Sequence, residues 1–204
     1  MIKVIFFDFD GVLTTDSAGR VTIFNNFVEQ TGLAKEKISE CYLKFNDELK
    51  SGSIDHKDMW QDFCDCLGND INIDVLQYVN RHVPLNIKMV ELAHQLHDRE
   101  FVTGIITSNS RDRMADIVDE FGFNNIFDYI ITSAVVGEMK DGAKIFEKAL
   151  EKTNMQAEEC VFVDNSEKNL VVPKEMGFQT YFFDHEKNDV DIFIQYLKTL
   201  GIKI

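Results

Sequence analysis

Residues 3–13 read KVIFFDFDGVL. Large apolar side chains fill Val4 to Phe7, the pattern of a strand buried on both faces, as in a parallel sheet. Two carboxylates follow, Asp8 and Asp10, and then Gly11. Side chains alternate along a strand, so both acids leave its end on the same side, and the glycine allows a tight turn. Two acids at the tip of a buried strand repel each other. They are tolerated when a cation sits between them or when one carries a proton. Asp10-Gly11 is also a hairpin signal, but a hairpin needs a second alternating strand, and VLTTDSAGR is a poor one.

Five short apolar segments read as strands: 3–8, 101–107, 128–133, 160–164 and 179–183. Helical patterns separate the later ones. Met89, Leu92, Ala93 and Leu96 share a face in 86–98, as do Met114, Ile117, Val118 and Phe121 in 111–121, which Gly122 stops. Residues 142–152, 167–176 and 189–200 follow suit. The alternation predicts an α/β fold with a doubly wound, mostly parallel five-stranded sheet. The interval from 22 to 80 is too long for one crossover, and its apolar residues recur at helical spacing: Ile38, Cys41, Tyr42, Phe45 and Leu49, then Met59, Trp60, Phe63, Cys64 and Leu67. A helical unit inserted after strand one is expected, with residues 17–84 as cap and 1–16 with 85–204 as core; Gly19 and Pro84 stand near the junctions.

Ligands of open α/β sheets bind beyond the carboxyl ends of the strands. Strand one ends in Asp8 and Asp10, strand two in Thr107-Ser108-Asn109 ahead of a helix, and strand four in Asp164-Asn165. Lys140 stands before the helix that follows strand three. Taken singly, Ser108 or Ser110 reads as a helix cap, Lys140 as a solvated charge and Asp164 as another cap. Taken together, acids, hydroxyl, cation and acid lie in chain order along one sheet edge. That set suits phosphoryl transfer: a carboxylate nucleophile, a metal between acids, and donors for the phosphoryl oxygens.

The chain of 204 residues carries a formal net charge of −14, which argues against nucleic acid or an anionic membrane as partner. A phosphate ligand remains compatible if a metal or a few cations neutralise it locally. The four cysteines, Cys41, Cys64, Cys66 and Cys160, form no CxxC pair and read as reduced core filler, implying a cytoplasmic setting. No apolar run approaches a membrane span, and no signal-peptide pattern opens the chain.

These motifs resemble the haloacid dehalogenase superfamily. DFDGVL at 8–13 matches its first motif, Ser108-Asn109 the second, Lys140 the third and VDNSEKN at 163–169 the fourth; the inserted helices resemble its helical cap. The resemblance implies that Asp8 attacks phosphorus to give an aspartyl-phosphate, and that Asp10 protonates the leaving oxygen and then activates water. It implies that Ser108, Asn109 and Lys140 hold the phosphoryl group, and that Mg²⁺ binds at Asp8, the Asp10 carbonyl, Asp164 and Asn165. Two features depart from the family pattern. The fourth motif usually has two adjacent acids, and here the second is Asn165, which can ligate Mg²⁺ without bringing charge. Lys140 is followed by Asp141-Gly142 where a proline is common.

The expected function is a Mg²⁺-dependent phosphatase of a small phosphorylated metabolite. A hexose-phosphate mutase of the same fold and a catalytically silent binding or regulatory protein are the alternatives, the latter because of Asn165. Dehalogenation fits less well because Asp10 is present, and phosphonate cleavage wants a cap lysine, of which Lys35, Lys37, Lys44, Lys50 and Lys57 are undistinguished. His94 and His97 read as a solvated helix face, not a metal site.

Overall fold

Strand β1 (Val4–Phe7) lies at the centre of the sheet. A computed structural model describes residues 1–204. Strands β2 (Val102–Thr107), β3 (Tyr129–Thr132), β4 (Cys160–Asp164) and β5 (Gln179–Phe182) complete five parallel strands in the order β3-β2-β1-β4-β5. The helices are α1 (Arg20–Thr31), α2 (Lys35–Tyr42), α3 (Asn46–Ser51), α4 (His56–Leu67), α5 (Val75–Arg81), α6 (Ile87–His97), α7 (Arg111–Phe121), α8 (Ser133–Val136), α9 (Lys144–Thr153), α10 (Glu167–Met176) and α11 (Val190–Thr199). None is long and apolar enough to cross a membrane.

The expected doubly wound α/β sheet is present. Alternation in β1 sends Ile5 and Phe7 into a core with α6, α7 and α11, while Val4 and Phe6 enter a second core with α9 and α10. All four side chains are fully buried, which is why the segment reads as a continuous apolar run.

Helices α1 to α5 fall between β1 and β2 and enclose a third core around Phe27, Tyr42, Trp60 and Phe63. They sit on the sheet-bearing part through polar contacts, chiefly along α7. Asn80 Nδ2 donates to Asp116 (2.8 Å), Arg81 pairs with Asp119 (2.9 Å), and the His56 amide donates to Asp112 (3.1 Å). At the end of α3, Ser133 Oγ donates to the Lys50 carbonyl (2.6 Å).

The expectation of four reduced thiols is not met. Cys41 on α2 and Cys66 on α4 form a disulfide, while Cys64 and Cys160 are free and buried. The packing of α2 on α4 brings together residues 25 positions apart, a proximity no local spacing reveals. Only Cys64 and Cys160 remain as reduced thiols of the kind a reducing compartment preserves.

Candidate active site

Strand β1 stops at Phe7, and residues Phe9–Leu13 make one wide turn closed by the Thr14 amide donating to the Phe9 carbonyl (3.0 Å). Gly11 takes φ +87°, a left-handed conformation that disfavours other residues, and an added Cβ there would strike the Asn165 amide. The turn keeps Asp8 and Asp10 on one cavity of about 820 Å³. Ser108, Asn109, Lys140 and Asn165 line the same cavity, so the tips of β1 and β2 and the loops after β3 and β4 converge there.

Lys140 is the pivot. Its Nζ lies 2.6 Å from Asp8 Oδ1 and 2.6 Å from Asp164 Oδ2, and its amide donates to Ser108 Oγ (3.1 Å). Burial works against its charge, and the two carboxylates more than offset this, so its pKa is raised. Asp8, only 5 % exposed, is pushed up to about 8: burial is the main cause and the charge of Asp164 adds to it, while Lys140 pulls the other way. A carboxyl driven towards protonation at neutral pH beside a second carboxylate is a place where a cation can replace the proton.

Asp164 stands behind Lys140. It is 0 % exposed and does not line the cavity. Its oxygens accept from Lys140, from the Ser166 amide (2.8 Å) and from Asn169 Nδ2 (3.1 Å). Asn165 lines the cavity, packs over Gly11 and donates from Nδ2 to the Ser17 carbonyl (3.1 Å).

The sequence profile of the haloacid dehalogenase-like hydrolases matches residues 5–183. The chain belongs to this family. It is similar to the glyceraldehyde 3-phosphate phosphatases of Pyrococcus furiosus (25% identical, 91% of this chain and 82% of that one) and Pyrococcus abyssi (27%, 92% and 83%). Its fold matches that of a haloacid dehalogenase-like hydrolase from Porphyromonas gingivalis (TM-score 0.76, 19% identity, 97% of this chain and 98% of that one). A family enzyme from Bacteroides thetaiotaomicron, solved with magnesium and inorganic phosphate, also matches (TM-score 0.70, 19% identity, 89% and 94%).

Within this hydrolase, Asp10 meets a partner the sequence reading missed. Arg113 of α7 grips it with both guanidinium ends, Nη1 donating to Oδ2 at 2.9 Å and Nη2 to Oδ1 at 2.8 Å. Arg113 is 2 % exposed and lies over the Phe9 ring, 5.5 Å from its centre. Burial opposes its charge, but Asp10 wins and raises its pKa. Gly19 closes over the pair, and any side chain there would meet both groups. A signal existed: position 113 falls four residues before Ile117, on the apolar stripe, where a charge is out of place. Asn109, expected to face a phosphoryl group, donates instead from Nδ2 to Asp10 Oδ2 (3.0 Å).

The donors available for a metal are all oxygens: the Asp8 carboxylate, main-chain carbonyl groups of the turn, and the Asn165 amide. No three His, Cys, Asp or Glu side chains gather as a ready-made cage. Hard oxygen donors next to a carboxyl repelled by its neighbour fit a hard divalent cation that retains water, such as Mg²⁺. His94 and His97 face Asp98 (3.3 Å) and Asp128 (3.5 Å) on the far surface and take no part.

Proposed function

We propose that this hydrolase is a Mg²⁺-dependent phosphatase of small phosphorylated metabolites, with Asp8 as nucleophile. The observation that carries the reading is the junction of Asp8, Lys140 and Asp164, two contacts of 2.6 Å at the carboxyl edge of the sheet, opening on a cavity shared with Asp10 and Ser108. The Pyrococcus relatives named as phosphatases support it, and their named substrate, a three-carbon phosphate ester, supports a small metabolite. Residues 17–84 are read as a cap over a core of 1–16 and 85–204.

A carboxylate oxygen of Asp8 attacks phosphorus and the ester oxygen departs, leaving the phosphoryl group on Asp8. Lys140 and Ser108 hold the phosphoryl oxygens, and Asp164 keeps the Lys140 ammonium aimed at them. Asp10 gives the leaving oxygen its proton and then takes one from the water that attacks the aspartyl-phosphate. The two contacts from Arg113 hold the Asp10 carboxylate in place, and Asp10 must turn from them to reach the leaving oxygen. Asp8, the Asp10 carbonyl and Asn165 would hold Mg²⁺, which when bound supplies positive charge against that of the phosphoryl group and the carboxylates. Helices α1 to α5 exclude water from the closed cavity.

Phosphate release from p-nitrophenyl phosphate, with and without Mg²⁺, tests the reading. Turnover that requires Mg²⁺ and is abolished in Asp8→Asn is expected; no turnover by the folded protein, or full activity in Asp8→Asn, would refute it.

A further inference from the structure

The cavity carries more positive charge than the phosphoryl chemistry uses. Five cationic side chains line it, Arg20, Lys50, Arg113, Lys140 and Lys168, against the carboxylates of Asp8 and Asp10. This excess stands in a chain of net charge −14. Most of these cations have partners. Lys140 is taken by Asp8 and Asp164, Arg113 by Asp10, and exposed Lys168 lies 3.7 Å from Asp141.

Two have none, Lys50 and the exposed Arg20, and of these only Lys50 is withdrawn from solvent. It is half-buried near the end of α3, in the roof of the cavity, and its ammonium has neither an ion-pair nor a hydrogen-bond partner. Its main chain is fixed on both sides: Leu49 is buried in the helical core, and the Lys50 carbonyl accepts from Ser133 Oγ (2.6 Å). A lysine at a helix C-terminus gains from the helix dipole even when it points to water. That gain does not account for an ammonium that burial disfavours and that lines the cavity while pairing directly with neither Asp10 nor Asp47, whose charges it feels. A neutral polyol would leave the ammonium unpaired when the cavity fills. One unpaired, half-buried cation matches one further negative charge, while the other roof cation, Arg20, is exposed.

Building on the phosphatase reading, we propose that Lys50 receives a carboxylate on the substrate, so that the preferred substrate is a small phosphate monoester with an acid group at the end away from phosphorus. Lys50 thereby sets specificity, and it takes no part in the bond changes at phosphorus.

Glyceraldehyde 3-phosphate and 3-phosphoglycerate test this directly, because they share a skeleton and differ in an aldehyde against a carboxylate at the far carbon. With Mg²⁺, kcat/KM for the acid should exceed that for the aldehyde by about 10- to 100-fold, the worth of one charge-assisted contact. That ratio should collapse in Lys50→Met and Lys50→Gln and largely survive in Lys50→Arg. A wild type without preference for the acid overturns the proposal before any variant is made. So does a ratio unchanged in the Met or Gln variant, or a three-carbon bisphosphate preferred over both. A wild type that releases phosphate from none of these esters, nor from p-nitrophenyl phosphate, defeats the phosphatase reading itself; turnover without preference defeats only the role of Lys50.

Discussion

Replacing Asp8 with Asn should make the metal-free protein more stable at neutral pH and change how its stability depends on pH. Asn keeps an oxygen to accept from the Phe9 amide (2.7 Å) but removes the carboxyl that burial and Asp164 push up to about 8. In the unfolded chain this carboxyl ionises near the ordinary aspartate value of about 4. The folded form therefore binds more protons than the unfolded form between roughly pH 4 and 8, so wild-type stability is full below that window and falls as pH rises through it. The slope for one proton is about 1.4 kcal/mol per pH unit. A chain of this size shifts its Tm by about 2–4 °C per kcal/mol, so the Tm of Asp8→Asn minus that of the wild type should grow by about 3–6 °C per pH unit from pH 5 to 7.5. Other titrating groups are common to both proteins and largely cancel. Lys140, with a raised pKa, stays charged throughout the window. Thermal unfolding in chelator-treated buffers across this range provides the measurement. Mg²⁺ should flatten the wild-type curve by displacing the proton, and leave Asp8→Asn unmoved. Parallel Tm curves for the two proteins without metal would refute the electrostatic account of the site.

Arg113→Met should lower stability by about 3 kcal/mol, because it leaves Asp10 without its bidentate partner in a largely buried place. In a double-mutant cycle with Asp10→Asn the losses should be far from additive, and additive losses in thermal unfolding would contradict the pairing. Asn165→Asp should tighten Mg²⁺ binding, seen by calorimetric titration, since it adds a charge to the donor set; unchanged or weaker affinity counts against Asn165 as a ligand. Thiol titration of the denatured, unreduced protein should find two free cysteines of the four, Cys64 and Cys160. Cys41→Ser should then lose about 3 kcal/mol, as expected for opening a loop of this length, and four titratable thiols in the wild type would exclude the bridge.

The strands were legible because β1 and β4 are buried on both faces and leave unbroken apolar runs, while the intervening helices carry single stripes. Asp8, Asp10, Ser108, Asn109, Lys140 and Asn165 could be placed at one edge because parallel strands present their carboxyl ends together, and all six line one cavity. Pairings between distant elements were not legible. Nothing local says that Asn109 turns to Asp10, or that Asp164 sits behind Lys140. Cys41 meets Cys66 only through the packing of α2 on α4, and Lys50 differs from the other lysines of its segment only because α3 docks against α8. Arg113 could have been found, as a charge misplaced on an apolar stripe, but its partner could not.

Transfer of phosphorus to Asp8 is the step on which the account stands. Acid quenching of the protein during turnover of a phosphate ester with Mg²⁺, followed by mass analysis of its peptides, observes that step. A phosphoryl group on the peptide containing Asp8, absent in Asp8→Asn, is the expected result. Steady turnover with no phosphorylated peptide at any quench time, or with the group on another residue, would contradict it.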